Sequence, residues 1–182
     1  MKSIRHARRV LGCALLFAMG GAYAQNLLQN PYFDDNLTGW QISPVSQVSW
    51  TPLVDYPVSG SGTRGAMKLD GGAMPSLAFQ CVPVDDAFDY IASMRVNSHC
   101  TGQRLFVFWT DAGCVAADAS TSVASVRADK WDLVTAVVHP PLGTSWAVVV
   151  ADNPGGSCPS SAFVDDVVFM KDDIFSNGFE LP

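Results

Sequence analysis

From Gly39 onward, apolar and polar residues alternate in short runs, and Gly, Pro, Ser and Asp separate the runs. Successive side chains of a strand point to opposite faces, so each run reads as a β-strand with one buried side. The pattern predicts strands at 39–42, 47–51, 66–69, 76–82, 88–96, 105–111, 122–127, 131–139, 145–151 and 162–169. In 88–96, Phe88, Tyr90, Ala92, Met94 and Val96 share one face, and Asp89, Ile91, Ser93 and Arg95 the other, a core side and a wet side. The run 105–111 differs. Phe106 and Phe108 lie on one side and Leu105, Val107 and Trp109 on the other, which fits either a strand covered on both faces or one whose Trp109 meets a ligand. Alternation also places Trp131, and Trp146 with Val148 and Val150, in the core.

The spacing of these runs is that of hairpins and Greek-key links, and no helical stretch is long enough for a parallel crossover. The expected fold is therefore an all-β, two-sheet antiparallel jelly-roll β-sandwich. Composition agrees: sixteen of the seventeen acidic residues are Asp, which favours turns, and the one Glu is Glu180. The longest irregular segment, 52–65, surrounds Asp55 and Tyr56 with Pro, Gly and Ser, and loops of such length are often functional.

Residues 1–24 read as an export signal. Lys2, Arg5, Arg8 and Arg9 form a charged start, Val10 to Met19 an apolar run, and Ala22-Tyr23-Ala24 a small-x-small cleavage site. That run is shorter than the roughly 20 residues a membrane helix needs, and nothing later in the chain is longer. The expected product is secreted or periplasmic and does not span a membrane. Removing the leader takes away four of the eleven cationic residues and no acidic one, leaving a formal charge of −10. Nucleic acid is excluded as a partner, because phosphate binding needs a basic footprint.

Four cysteines follow the leader: Cys81, Cys100, Cys114 and Cys158. In an exported chain an even count implies two disulfides. If 88–96 and 105–111 form a hairpin, Cys100 lies at its closed end and Cys114 beyond its open end, too far apart to bond at about 3.3 Å of rise per residue. Cys81 returns to the open end, and Cys158 precedes a last strand expected beside 88–96. The pairing expected is Cys81–Cys114 and Cys100–Cys158. Zinc is disfavoured, since there is no C-x-x-C pair and only His99 and His139 remain.

In the last strand, Asp165 and Asp166 stand side by side among apolar neighbours, so one of them is expected to share the buried face with Phe163, Val167 and Phe169. A buried carboxylate needs donors or a cation. Near the other end, Asn30-Pro31-Tyr32-Phe33-Asp34 leads to Gly39-Trp40. This N-x-x-F-D-x-x-x-x-G-W pattern, with Val164-Asp165-Asp166-Val167, resembles the ends of family 4/9-type carbohydrate-binding modules of the galactose-binding-like jelly-roll superfamily. The resemblance implies a galactose-binding-like sandwich over 25–170, with Trp40 as a packing anchor. It also implies one structural calcium joining the opening loop to the last strand, with Asp34 and Asp165 as ligands. In place of the more usual Glu, Asp34 reaches less far. The remaining stretch, 171–182, forms a C-terminal tail similar to short D-x-I-F-x-x-G-F-E endings of secreted proteins in some Gram-negative bacteria. The other reading is a last turn in which Phe175 and Phe179 pack on the sandwich.

The resemblance implies a secreted, non-catalytic, lectin-like module for a poly- or oligosaccharide. Two alternatives stand beside it: an adhesion or assembly sandwich without sugar binding, and a small polysaccharide-active enzyme. No carboxylate pair, G-x-S-x-G elbow or glycine-rich phosphate loop singles out a reaction. Sugars present flat C–H faces to aromatic rings and hydroxyls to polar groups. The candidate stackers are Trp50, Tyr56 and Trp109, with Gln80, Arg95 and Arg104 as polar partners.

Overall fold

The computed structural model describes residues 25–52, 65–111, 113–114, 119–156 and 160–172. The expected leader, Tyr56, Cys158 and the chain beyond Asp172 lie outside these. Among the described residues there are ten strands: β1 (Gln41–Ile42), β2 (Val48–Thr51), β3 (Ala66–Leu69), β4 (Ser76–Pro83), β5 (Tyr90–Ser98), β6 (Arg104–Thr110), β7 (Ala119–Ala124), β8 (Trp131–Val138), β9 (Trp146–Asn153) and β10 (Ala162–Lys171). Each expected run has its counterpart, and the largest displacement is at β7. They form two five-stranded antiparallel sheets, in the orders β1-β4-β9-β6-β7 and β2-β3-β10-β5-β8. Among the described residues no helix is long and apolar enough to cross a membrane.

The two sheets face each other across one core. From the first come Ala78, Val82, Leu105, Val107, Trp109, Ala147, Val149 and Ala151, and from the second Met67, Leu69, Tyr90, Ala92, Met94, Val96, Val164, Val167 and Phe169. Tyr90 stacks on Phe169 with ring centroids 5.1 Å apart, and Trp109 meets the same phenyl ring at 6.4 Å. The β5 face read as core is the buried one. In β9 the expectation is reversed: Ala147, Val149 and Ala151 point inward, and Trp146 and Val148 point out. Trp131 is also outward, beside Asn97 of β5 in register.

The expected hairpin of 88–96 with 105–111 does not form, because β5 and β6 lie in different sheets. The first disulfide is nevertheless Cys81–Cys114, with Cα atoms 5.9 Å apart. Its physical reason is different. Both β4 and β6 run antiparallel to β9, hence parallel to each other, so Cys81 near the end of β4 and Cys114 past the end of β6 come out at the same edge. Cys100 is disulfide-bonded too.

The ends of the described chain meet. The Leu27 amide donates to the Phe169 carbonyl at 2.8 Å, and the Val167 amide to the Pro31 carbonyl at 3.0 Å. The Asn26 side chain donates to the Val167 carbonyl and accepts the Phe169 amide. A bulge makes the second seam bond possible. Register shifts between Asp165 and Val168, with Asp166 at φ 49°, so one extra residue turns the chain. It also breaks alternation: Val164 and Val167 are both buried, whereas Phe163 faces outward with Asn97, not inward with Val167 as expected. Trp40 is buried against Phe33 at 5.4 Å, and its indole donates to the Asn30 carbonyl.

Candidate functional site

The outer face of the β1-β4-β9-β6-β7 sheet is built from the residues that alternate with its core set. Strand register sorts them into rows. One row crosses all five strands as Gln41, Phe79, Val150, Phe106 and Ser122. On one side of it runs Leu77, Asp152, Arg104 and Ala124, and on the other Cys81, Val148, Phe108 and Ser120. Beyond these, Thr110 pairs with Trp146. The central row is polar and exposed at both ends and apolar in the middle, where Phe79 and Phe106 are half-buried. Phe106 and Phe108 stack with centroids 5.4 Å apart and planes 16° from parallel.

Arg104 extends this platform. Its guanidinium carbon lies over the Phe106 ring, 4.7 Å from the centroid, within cation–π reach. Two of its N–H groups donate to Asp152 Oδ2, from Nε at 2.7 Å and Nη2 at 2.6 Å. Burial pushes the Asp152 carboxyl above its ordinary range, and the Arg104 hydrogen bond and charge offset only part of that rise. The pair fixes Arg104 and cancels its charge. The Arg104 side chain is 39% exposed, against 4% for Asp152.

The residues expected to bind ligand do not come together. Arg104 alone belongs to this face. Trp109 is 2% exposed and packs in the core, because it shares the inward side of β6 with Leu105 and Val107. Gln80 is likewise interior, where its side chain accepts the Gln29 amide at 3.0 Å and donates to the Gln29 carbonyl at 2.7 Å. Trp50 packs at the core's margin and donates its indole N–H to the Phe33 carbonyl at 2.6 Å. Arg95 lies on the outer face of the opposite sheet, 4.0 Å from Asp166. Tyr56 is outside the described residues. The sequence pattern does not reveal that Phe79, Phe106, Phe108 and Trp146 share one outer face. The available signal was the two-sided apolar character of 105–111: in a two-layer sandwich, only one face of a strand can meet the other layer.

For calcium, the donor set is thin. Among the described residues no three His, Cys, Asp or Glu side chains come together as a metal-binding group. Asp165 is 2% exposed, and its Oδ1 accepts the Asp166 amide at 2.7 Å. With Asp34 and Asp165 as its carboxylates, an ion taking six to eight oxygens would draw the rest from backbone carbonyls and water.

No family model matches the chain, and no curated protein matches it. Solved structures do, in fold. The enzymatically active domain of bacteriophage CBA120 tailspike protein 4 superposes with a TM-score of 0.63 at 14% identity, over 81% of this chain and 21% of that one. The chain thus spans about a fifth of that protein. A family 16 carbohydrate-binding module gives 0.59 at 17% identity, over 79% of this chain and 99% of the module. A family 61 module solved with β-1,4-galactotriose gives 0.54 at 15%, over 82% of this chain and the whole of the module. The chain shares its β-sandwich fold with these carbohydrate-binding modules and with the tailspike domain.

Proposed function

We propose that this chain is an exported, non-catalytic carbohydrate-binding module whose ligand lies on the outer face of the β1-β4-β9-β6-β7 sheet. The observation that carries this is the central row, with Phe79 and Phe106 as an apolar floor between exposed Gln41 and Ser122. Phenyl rings accept the C–H faces of sugars, and the flanking amide and hydroxyl satisfy sugar hydroxyls. Two structures of the same fold are modules named for carbohydrate binding, one with a galactotriose bound, which supports the reading. Against catalysis, the three rows contain one carboxylate, Asp152, held by Arg104, whereas glycoside hydrolysis ordinarily uses two.

The structural calcium clip between Asp34 and Asp165 remains part of the proposal, and it would hold the terminal seam without touching the ligand face. A screen of soluble polysaccharides in affinity gels, with and without chelator, tests both. Retardation by at least one neutral polysaccharide is expected, with a melting temperature that falls on chelation. A melting temperature unchanged by chelator removes the calcium. No retardation by any polysaccharide favours the adhesion or assembly alternative. For that alternative the opposite outer face offers Leu133 at 45% and Val137 at 58% exposed.

A further inference from the structure

We infer that a second copy of this chain pairs with β8, an edge strand of the β2-β3-β10-β5-β8 sheet, antiparallel about a twofold axis through Thr135. The inference concerns the sheet opposite the proposed ligand face and stands apart from the module reading. A sheet edge takes up another strand unless it is short, charged, kinked or covered. Among the four edges, β1 has two residues, and β2 has four and ends at Pro52. β8 has eight, contains no Lys, Arg or Pro, and pairs with β5 in unbroken register. Leu133, Thr135 and Val137 are exposed on its outer side. Across the sandwich from it, the β7 edge carries only Ala, Ser, Thr and Val, and its Thr121 and Val123 line a crevice with Ala136 and Val138. No bulky β7 side chain holds a second copy away.

Hydrogen-bond direction makes the edge usable. The Asp172 amide donates to the Asp89 carbonyl, one residue beyond the Lys171 and Tyr90 pair. Bonding direction alternates along an antiparallel strand, so the odd residues of β5 turn to β10 and the even ones, Tyr90 to Val96, turn to β8. Their partners there are Val138, Ala136, Val134 and Asp132, which leaves the amides and carbonyls of Leu133, Thr135 and Val137 turned outward. An axis through Thr135 sets Leu133 of each copy against Val137 of the other, and the two Thr135 residues against each other. A slip of one pair in either direction would oppose Leu133 or Val137 to Thr135 instead. Charge agrees with this register. Exposed Lys130 falls opposite Pro140 of the second copy, in the turn where Asp86 accepts the Gly143 amide and Asp89 pairs with His139. By symmetry, positive meets negative at both ends. The axis stands normal to the sheet, so under the module reading both ligand faces point to the same side of the pair and one polymer can engage both.

Sedimentation velocity of the full chain, from micromolar to hundreds of micromolar, tests this. A dimer in exchange with monomer is expected, with no larger species, because a twofold contact uses the same edge of both copies. Thr135→Pro removes an outward N–H that β5 does not use, a position where edge strands accept Pro. It leaves the melting temperature of dilute protein unchanged and weakens the dimer at least tenfold, as for the paired hydrogen bonds lost. Leu133→Lys and Val137→Glu each weaken the dimer as much when alone. Mixed in equal amounts they restore one, because this register brings the introduced ammonium against the introduced carboxylate. The inference is overturned if the chain is monomeric throughout, if Thr135→Pro dimerises as the parent does, or if the mixture associates no better than its parts. Association that survives Thr135→Pro but is lost on deleting 173–182 overturns it too and assigns the contact to that segment. Should Thr135→Pro fail to fold, the mixing experiment decides alone.

Discussion

Within β6, Leu105, Val107 and Trp109 enter the core while Arg104, Phe106 and Phe108 face out. Aromatic rings two or three positions apart therefore do different work. Trp109→Ala leaves a cavity beside Phe169 and is expected to cost about 3–5 kcal/mol of stability, measured by urea denaturation, so any loss of binding in that variant follows from unfolding. The sequence displays both apolar sides of this strand, but a period of two does not say which side meets the second sheet, and the Trp109 expected to stack on a ligand is in the core. Asp70 gives the acid limb of stability. Burial alone would raise its pKa, but hydrogen bonds from Lys68 and Ser161 and the Lys68 charge bring it below the ordinary aspartate range. An acid with a lowered folded pKa contributes stability that is present above the unfolded value and lost as pH falls through the folded one. Asp70→Asn is accordingly destabilising near pH 7, and the difference from the parent shrinks below about pH 4 in urea melts. Asp152 has the opposite sign: its raised pKa makes its own contribution decline as pH rises through the folded value.

Among the elements, the strands were legible and their partition between sheets was not. Alternation locates a strand from its own residues, whereas sheet membership depends on partners distant in sequence. That is why β5 and β6, consecutive and plausible as a hairpin, were paired wrongly. The terminal seam joins residues far apart in sequence and is expected only from the resemblance of the two end motifs, whereas the opening loop's turns are local: Gly39 takes φ 89° beside Trp40, and Asn30 and Phe33 hold positive φ. That loop is locked to β2 by the Trp50 indole on the Phe33 carbonyl, over Gly65. A Cβ at Gly65 would sit 2.7 Å from the Phe33 carbonyl oxygen and run into the Trp50 indole nitrogen. Gly65→Ala should therefore push the loop off β2 and cost about 1–3 kcal/mol, read as a lower melting temperature with altered Trp50 fluorescence.

At the scale of the molecule, a two-layer sandwich has two outer faces, and this one makes them chemically unlike. One carries the Phe79, Phe106 and Phe108 platform with the Arg104–Asp152 pair, and the other carries Trp131, Leu133, Val137 and Arg95. Resemblance at the two termini does not tell these faces apart, because the motif residues hold the seam, and of them, among the described residues, Asp166 alone reaches toward an outer face, near Arg95. The first face is the one proposed for the ligand, on the strength of its Phe79 and Phe106 row. Its role is tested most directly by affinity electrophoresis of the parent, Phe106→Ala and Trp131→Ala on a retarding polysaccharide, with melting temperatures measured alongside. The expected result is that Phe106→Ala abolishes retardation at an unchanged melting temperature while Trp131→Ala migrates like the parent. Retardation lost in Trp131→Ala and kept in Phe106→Ala would contradict the assignment.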